Sequence, residues 1–226
     1  MLRAVVFDLW NTLVHSRGGD PFKHLKAFMS PEQAVHLEAM ERDAMSRCCE
    51  SAEAFLQGWR VLLGLSDQQH RAMAAVLRDA ASDAECYPET LQALKETRRL
   101  GRLALLSNTQ SYDLEFLERL GLSALLPNRY LSAEMGYLKP EAGAFEMVQE
   151  RLGLFPGELA MVGDSWHSDI QGALEAGWTA LWLNREGRPR PEHDPSAELV
   201  EISHLGQVPA AIAALQAGAR CGTCLG

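Results

Sequence analysis

The stretch AVVFDLWNT, residues 4–12, decides the fold that the sequence predicts. Its first residues, Ala4–Phe7, are apolar and partly β-branched, which is typical of a parallel strand buried on both faces. An acid, Asp8, follows this run directly. In an open parallel sheet, ligands bind in the crevice at the carboxyl ends of the strands, so Asp8 is the first candidate site residue.

The composition is that of a globular protein. The 226 residues are 47% hydrophobic and 23% charged, and a chain of this length buries roughly 70% of its unfolded surface. Twenty-one Lys and Arg against thirty Asp and Glu give a formal charge of -9, the wrong sign for binding nucleic acid through phosphate contacts. No apolar stretch approaches the ~20 residues that span a bilayer. We expect neither a nucleic-acid nor a membrane partner.

The N-terminus and the cysteines predict a cytoplasmic protein. Asp8 interrupts the first apolar run before it reaches the length of a signal peptide. The five cysteines are too few and too irregularly spaced for a disulfide framework, so reduced thiols are expected. Cys221 and Cys224 have the local spacing of zinc ligands, but no second Cys or His pair accompanies them, and we favour a frayed C-terminus.

The chain divides into a helical segment and a segment in which strands and helices alternate. Ser30 and Ser66 each begin a capping box before apolar residues at helical spacing, and the strand signal is absent from His15 to Glu85. This segment predicts a small helical bundle, inserted as a cap after the first strand. From Tyr87 onward, strand-like runs alternate with helical periodicity, which indicates a parallel sheet with helices on both faces.

These patterns predict a doubly wound, Rossmann-like α/β core of residues 1–14 and 86–226 with a helical cap of residues 15–85. The later strands are predicted at residues 103–106, 130–132, 159–162, 179–183 and 199–202, and the helices of the core at residues 88–100, 112–120, 141–152, 170–176 and 208–215.

Polar residues stand where the crevice of this sheet is expected. They are Asp8, Ser107, Asn108, Lys139, Asp164 and Asp169. Carboxylates that converge on one crevice repel one another unless a cation lies between them, and oxygen ligands suit Mg²⁺. A lysine and a hydroxyl beside that cation can hold the oxygens of a phosphate, and a carboxylate can attack the phosphorus as a nucleophile.

Structural roles compete with these functional ones. Ser107 is a common turn former, Lys139 alone is typical of a solvated loop, and Asp164 can cap the helix that follows it. Asp8 differs, because a carboxylate at the end of a buried strand costs desolvation energy unless it has a partner or a metal ion.

Taken together, these residues resemble the haloacid dehalogenase-like (HAD) superfamily, whose four motifs occur here in order. They are the Asp-x-Asp-x-Thr-like segment 8–12, a strand-end Ser at Ser107, Lys-Pro at Lys139, and Gly-Asp with a further Asp in residues 163–169. Residues 136–140 and 163–173 look most like the phosphatase branch. The inserted bundle resembles the C1 type of cap in this family.

The resemblance implies a role for each matching residue. Asp8 would be the nucleophile that forms an aspartyl-phosphate on a small-molecule phosphate substrate. Ser107 and Lys139 would bind the phosphoryl group, with Asn108 and Trp10 beside the substrate.

The same resemblance implies Mg²⁺ as the cofactor. Its ligands would be Asp8, Asp164 and the main-chain carbonyl of Trp10. Asp169 would belong to the same metal site, where it orients Lys139 or the water molecules of the metal.

Trp10 departs from the pattern of the family, which has a second Asp there as general acid on the leaving group and then as base on water. Indole donates a hydrogen bond but cannot accept a proton, and general acid/base catalysis is typically worth about 10²–10⁴-fold. Alkyl phosphates are expected to be poor substrates unless another group, with His167 and His15 as candidates, takes over. Acyl phosphates and activated phenyl phosphates would suffer less.

Two alternative functions stay open beside the Mg²⁺-dependent phosphatase. A 2-haloacid dehalogenase also has an aromatic residue two positions after its nucleophile, but that branch works without metal, typically lacks the loop of Asp164, and carries a hydroxyl where this chain has Phe145. The other alternative is a protein that binds Mg²⁺ or a phosphometabolite without turnover.

Overall fold

Six parallel strands form the central sheet of the computed structural model, which describes the backbone of residues 1–222 and the side chains of residues 1–218. The strands are β1 (Ala4–Phe7), β2 (Val14–Ser16), β3 (Ala84–Cys86), β4 (Arg102–Ser107), β5 (Asn128–Leu131), β6 (Leu159–Gly163), β7 (Thr179–Leu183) and β8 (Leu199–Ile202). The order across the sheet is β5-β4-β1-β6-β7-β8. This is the order of a doubly wound fold, and it reverses direction between β1 and β6, so a ligand crevice is expected at their carboxyl ends.

The helices alternate with the strands of the sheet, except for a block between β2 and β3. They are α1 (Pro21–Leu25), α2 (Pro31–Ala34), α3 (Leu37–Ala44), α4 (Ala52–Leu63), α5 (Asp67–Ser82), α6 (Thr90–Thr97), α7 (Phe116–Arg119), α8 (Leu122–Leu125), α9 (Ser132–Met135), α10 (Ala142–Leu152), α11 (Gly172–Glu175) and α12 (Val208–Gly222). A π-helical turn, Trp166–Gln171, leads into α11. Within residues 1–222, no helix combines the length and the apolar character that crossing a membrane requires.

Two hydrophobic clusters cover the two faces of the sheet, which confirms the predicted α/β fold. Because side chains alternate along a strand, Val5 and Phe7 of β1 pack on one face with α6, α7, α8 and α12. Ala4 and Val6 point to the other face, where α10 and α11 cover them. Burial on both faces explains why β1 reads as a continuous apolar run.

The block from α1 to α5 forms a bundle with its own apolar core, and we call these residues 21–82 the helical insertion. Leu25, Met40, Phe55 and Met73 are buried in that core. The predicted capping boxes at Ser30 and Ser66 are present.

The prediction that the strand signal is absent between His15 and Glu85 is wrong at both ends of that segment. β2 and β3 pair antiparallel, with Val14 opposite Cys86 and Ser16 opposite Ala84, and this ribbon joins the helical insertion to the sheet. Each strand has three residues, too few for a period of two to stand out in the sequence.

The predicted helix over residues 112–120 is also wrong in its first part, since α7 begins only at Phe116. Asp113 has a φ of 54° and interrupts any helix there. Tyr112 instead packs in the core of the helical insertion, 4% exposed, with its ring centroid 6.1 Å from that of Phe55. Its neighbour Ser111 donates to the carbonyl of Cys49 at 3.0 Å and accepts from the amide of Cys49 at 2.8 Å. The segment after β4 is therefore anchored in the helical insertion.

The frayed C-terminus predicted around Cys221 and Cys224 lies beyond residue 218, the last residue whose side chain the structure describes.

We predict that Tyr112→Ala destabilises the protein by about 3–5 kcal/mol, because it removes a buried aromatic ring and leaves a cavity. Tyr112→Phe keeps the ring and should cost less than about 1 kcal/mol. Urea unfolding midpoints of the two variants and the parent chain test this. Equal losses in both variants would contradict a packing role for the ring.

Candidate active site

The side chain of Lys139 joins the candidate residues at the carboxyl ends of β1, β4 and the loop after β6. Its Nζ lies 2.7 Å from Oδ1 of Asp8 and 2.5 Å from Oδ1 of Asp169. It also donates to the main-chain carbonyl of Leu106 at 2.8 Å. The lysine side chain is 2% exposed, so it is far from the solvated loop position that its sequence context alone would suggest.

Burial and charge act against each other in this cluster. Burial alone lowers the pKa of Lys139, but the negative charges of Asp169 and Asp8 outweigh it and raise the pKa above its ordinary value. The ammonium ion therefore stays charged. Burial raises the pKa of Asp169, which Lys139 opposes.

Both carboxylate oxygens of Asp169 have partners. Oδ1 accepts from Lys139, and Oδ2 accepts from the main-chain amide of Ser165 at 3.0 Å. The carboxylate of Asp169 also lies against Gly163, where a Cβ atom would collide with it, so any side chain at residue 163 would displace the acid. Asp169 thus fixes both the lysine and the loop after β6.

Three acids converge beside the lysine, with a carboxylate oxygen from each of Asp8, Asp164 and Asp169 within 4.8 Å of the others. Burial, together with the charge of Asp8, raises the pKa of Asp164 to about 6. Among the described residues, Asp8 and Asp164 each keep one carboxylate oxygen without a protein partner, so these two acids offer the most capacity for a cation. Such an oxygen donor set fits a divalent ion such as Mg²⁺.

The main chain of Asp164 is held by two donors that the sequence analysis did not identify as site residues. The indole of Trp182 donates to its carbonyl at 3.2 Å, and the guanidinium of Arg188 donates to the same oxygen at 2.9 Å. Thr12, from the loop after β1, donates to Oδ1 of Asp164 at 3.4 Å. Nothing local in the sequence marks Trp182 or Arg188, since both act through a contact that only the fold creates.

Ser107 and Asn108 end β4 as predicted but have different surroundings. The Oγ atom of Ser107 is buried and has no hydrogen-bond partner among the described side chains and backbone. Such a group costs free energy unless a ligand satisfies it. Asn108 instead binds the backbone of Lys139, donating to its carbonyl and accepting from its amide, each at 2.8 Å.

Trp10 lies in the tight turn that follows Asp8, where its neighbour Asn11 has a φ of 60°. The indole N–H donates to the hydroxyl of Thr109 at 3.1 Å, and the ring lies 5.4 Å from that of Phe116. The one polar atom of the Trp10 side chain is therefore engaged in a hydrogen bond, and the residue forms part of the wall of a cleft.

A cleft of about 430 Å³ separates this wall from the helical insertion. Trp10, Asn108 and Thr109 line it from the core, and Glu41 and Met45 line it from the insertion. A cleft of this volume lies within the range of small-molecule sites.

The two histidines considered as substitutes for the missing acid do not line this cleft. His15 lies in β2 and packs against the ring of Tyr87, with 4.9 Å between centroids. His167 is exposed, with Nδ1 3.4 Å from Oε1 of Gln171.

Comparison with known proteins defines the class. The family model of haloacid dehalogenase-like hydrolases matches residues 2–177. The chain belongs to this family of hydrolases.

Relatives and solved structures agree with this class. N-acylneuraminate-9-phosphatase of Mus musculus is 31% identical over 211 residues, which cover 83% of this chain and 84% of that protein. Phosphoserine phosphatase of Thermus thermophilus is 38% identical over 119 residues, covering 51% of this chain and 48% of that protein, so the matched part is about half of its length. A 2-haloacid dehalogenase from Pseudomonas syringae has a TM-score of 0.72 at 20% identity, over 95% of this chain and 100% of that chain; at this identity the likeness supports the fold alone.

We predict that Asp164→Asn stabilises the metal-free protein at pH 7.5 by about 1–2 kcal/mol. The raised pKa of Asp164 means that its charged form is disfavoured in the folded state, so stability is lost as the pH rises from about 4 to about 6. The gain from the variant should therefore vanish near pH 4.

Urea unfolding in a chelator at pH 4 and pH 7.5 measures this gain. Glu192→Gln, at an exposed loop position, is the control and should gain little at either pH. An equal gain for Asp164→Asn at both pH values would contradict an electrostatic cause.

Proposed function

We propose that this hydrolase is a Mg²⁺-dependent phosphatase of small-molecule phosphates that acts through an aspartyl-phosphate on Asp8. The observation that carries the proposal is the buried hydroxyl of Ser107, which has no hydrogen-bond partner among the side chains and backbone that the structure describes. Ser107 follows Leu106 in β4, whose carbonyl binds Lys139. A hydroxyl donor and an ammonium charge beside a carboxylate nucleophile suit the oxygens and the phosphorus of a phosphate group. The phosphatase names of the relatives from Mus musculus and Thermus thermophilus support the same reaction.

In the proposed reaction, a carboxylate oxygen of Asp8 forms a bond to phosphorus while the bond to the leaving oxygen breaks. The oxygen of a water molecule then bonds to phosphorus, the bond to Asp8 breaks, and phosphate departs. Lys139 holds Asp8 by a 2.7 Å contact. Since its three N–H groups already reach Asp8, Asp169 and the carbonyl of Leu106, it contributes charge to the anion, and the Ser107 hydroxyl contributes a free donor.

The proposed metal ligands are Asp8, Asp164 and the main-chain carbonyl of Trp10. When bound, Mg²⁺ would neutralise negative charge on the phosphoryl oxygens. Asp169 would act on the site by holding Lys139, because both of its oxygens have protein partners. The helical insertion would act as a cap that covers the organic part of the substrate.

We predict that the protein releases phosphate from 4-nitrophenyl phosphate with Mg²⁺, and that Asp8→Asn lowers the rate about 10³-fold or more because the nucleophile is lost. A chelator should abolish the activity of the parent chain. Glu192→Gln, prepared in the same way, should keep the parent rate, and the loss confined to Asp8→Asn then excludes a contaminating phosphatase as the source of the activity.

Two other results would replace the proposal. Chloride release from 2-chloropropionate that ignores chelator and needs Asp8 would assign a dehalogenase, an alternative that the aromatic ring of Trp10 leaves open. Thermal stabilisation by Mg²⁺ with a phosphate mimic, without turnover of either substrate, would assign a binding protein.

A further inference from the structure

Two carboxyl groups, those of Asp20 and Glu41, line the cleft between the core and the helical insertion. The core side of the cleft includes residues that closely follow the nucleophile and the phosphate-binding serine, among them Trp10, Asn108 and Thr109. Glu41 of α3 lines the same cleft from the insertion. A volume of about 430 Å³ suits the leaving group of a small phosphate ester, because ligand sites typically measure about 300–1,000 Å³.

A contact between the insertion and the core holds α3 in place. Arg42, next to Glu41 in the sequence, has NH2 2.9 Å from Oε1 of Glu141. The other oxygen of Glu141 accepts from the amide of Leu138 at 3.2 Å, directly before Lys139. The helix that carries Glu41 is thereby tied to the loop that carries the lysine of the site.

The carboxyl group of Glu41 is half-buried, and within residues 1–218 no hydrogen bond or ion pair engages it. Burial raises its pKa, as does the charge of Asp20, with a smaller effect of Glu38, while Lys23 acts in the opposite direction. A carboxyl with a raised pKa holds its proton nearer to neutral pH, as a general acid must.

The other charged groups on this wall of the cleft are less suited to the role. Oδ1 of Asp20 accepts from the amide of Phe22 at 2.9 Å, capping α1. Its Oδ2 lies 3.7 Å from the ammonium group of Lys23, which is 83% exposed. Glu41 is the carboxyl group that remains free.

We propose that Glu41 is a catalytic residue that supplies, from the helical insertion, the general acid and base that residue 10 lacks. This inference rests on the proposed phosphatase function. As Asp8 bonds to phosphorus and the ester bond breaks, the proton of the Glu41 carboxyl passes to the leaving oxygen, which departs as an alcohol. The Glu41 carboxylate then takes a proton from water while the water oxygen bonds to phosphorus and the bond to Asp8 breaks. Phosphate leaves, and both acids return to their starting forms.

The experiment compares two aromatic substrates of similar size, 4-nitrophenyl phosphate and benzyl phosphate, in the presence of Mg²⁺. The nitrophenolate ion leaves without a proton, whereas the benzyl oxygen needs one. Glu41→Gln keeps the shape of the side chain and removes its acid. Glu192→Gln is the control, since Glu192 is exposed in a loop of the core and does not line the cleft.

We predict that Glu41→Gln lowers kcat/KM for benzyl phosphate by about 10²–10³-fold, and for 4-nitrophenyl phosphate by less than about 5-fold. The value of kcat/KM reports only the steps up to phosphoryl transfer to Asp8. The loss of the base, which acts on water in the later step, is therefore measured separately. The variant should release a burst of nitrophenolate equal to the enzyme concentration, followed by slow turnover as the phosphorylated enzyme accumulates. Glu192→Gln should behave like the parent chain in both assays.

Several outcomes would overturn this role. An equal loss with both substrates would make Glu41 a binding residue, and no loss with either would remove it from the reaction. A parent chain that hydrolyses 4-nitrophenyl phosphate but not benzyl phosphate would show that no residue serves as the acid, while the proposed function stands. If neither ester is hydrolysed in an Asp8-dependent way, the proposed function itself falls.

Discussion

The ammonium group of Lys139 between the carboxylates of Asp8 and Asp169 is the contact on which the rest of the site depends. Buried charges are tolerated only when they are paired and hydrogen-bonded, and removing one partner leaves the others uncompensated. Each of the three residues comes from a different part of the chain, after β1, before α10 and in the π-helical turn after β6. Their mutual attraction therefore fixes the relative positions of the loops that hold Asp164 and Ser107.

The fold and the inner residues of the site could be predicted because they follow from strand ends. Parallel strands bring their carboxyl ends to one edge of the sheet, so Asp8, Ser107 and Asp164 had to be neighbours once the strands were assigned. The pairing of Asp169 with Lys139 was less accessible, since a sequence does not show which oxygen of a carboxylate is occupied. The two hydrogen bonds between the side chain of Asn108 and the backbone of Lys139 correspond to no pattern in the sequence.

The helical insertion shows where sequence reasoning stops. Its helices carry caps and apolar spacing that can be read directly, but the three-residue strands β2 and β3 are too short for a periodic signal. The sequence predicts a helix of the core that begins at Tyr112, whereas this residue packs on Phe55 in the insertion. Glu41 and Trp10 line one cleft because of how the helical insertion is placed on the core. No local pattern in either segment of the sequence encodes that placement.

The anchoring of Ser111 and Tyr112 in the insertion has a consequence for how this protein can vary. Only a short segment separates Ser107, with its unpartnered hydroxyl, from these anchored residues. Two events linked through one segment share a coupling free energy, and that coupling acts equally in both directions. A substitution in the insertion that moves Tyr112 therefore also moves the segment that begins at Ser107, at the end of β4.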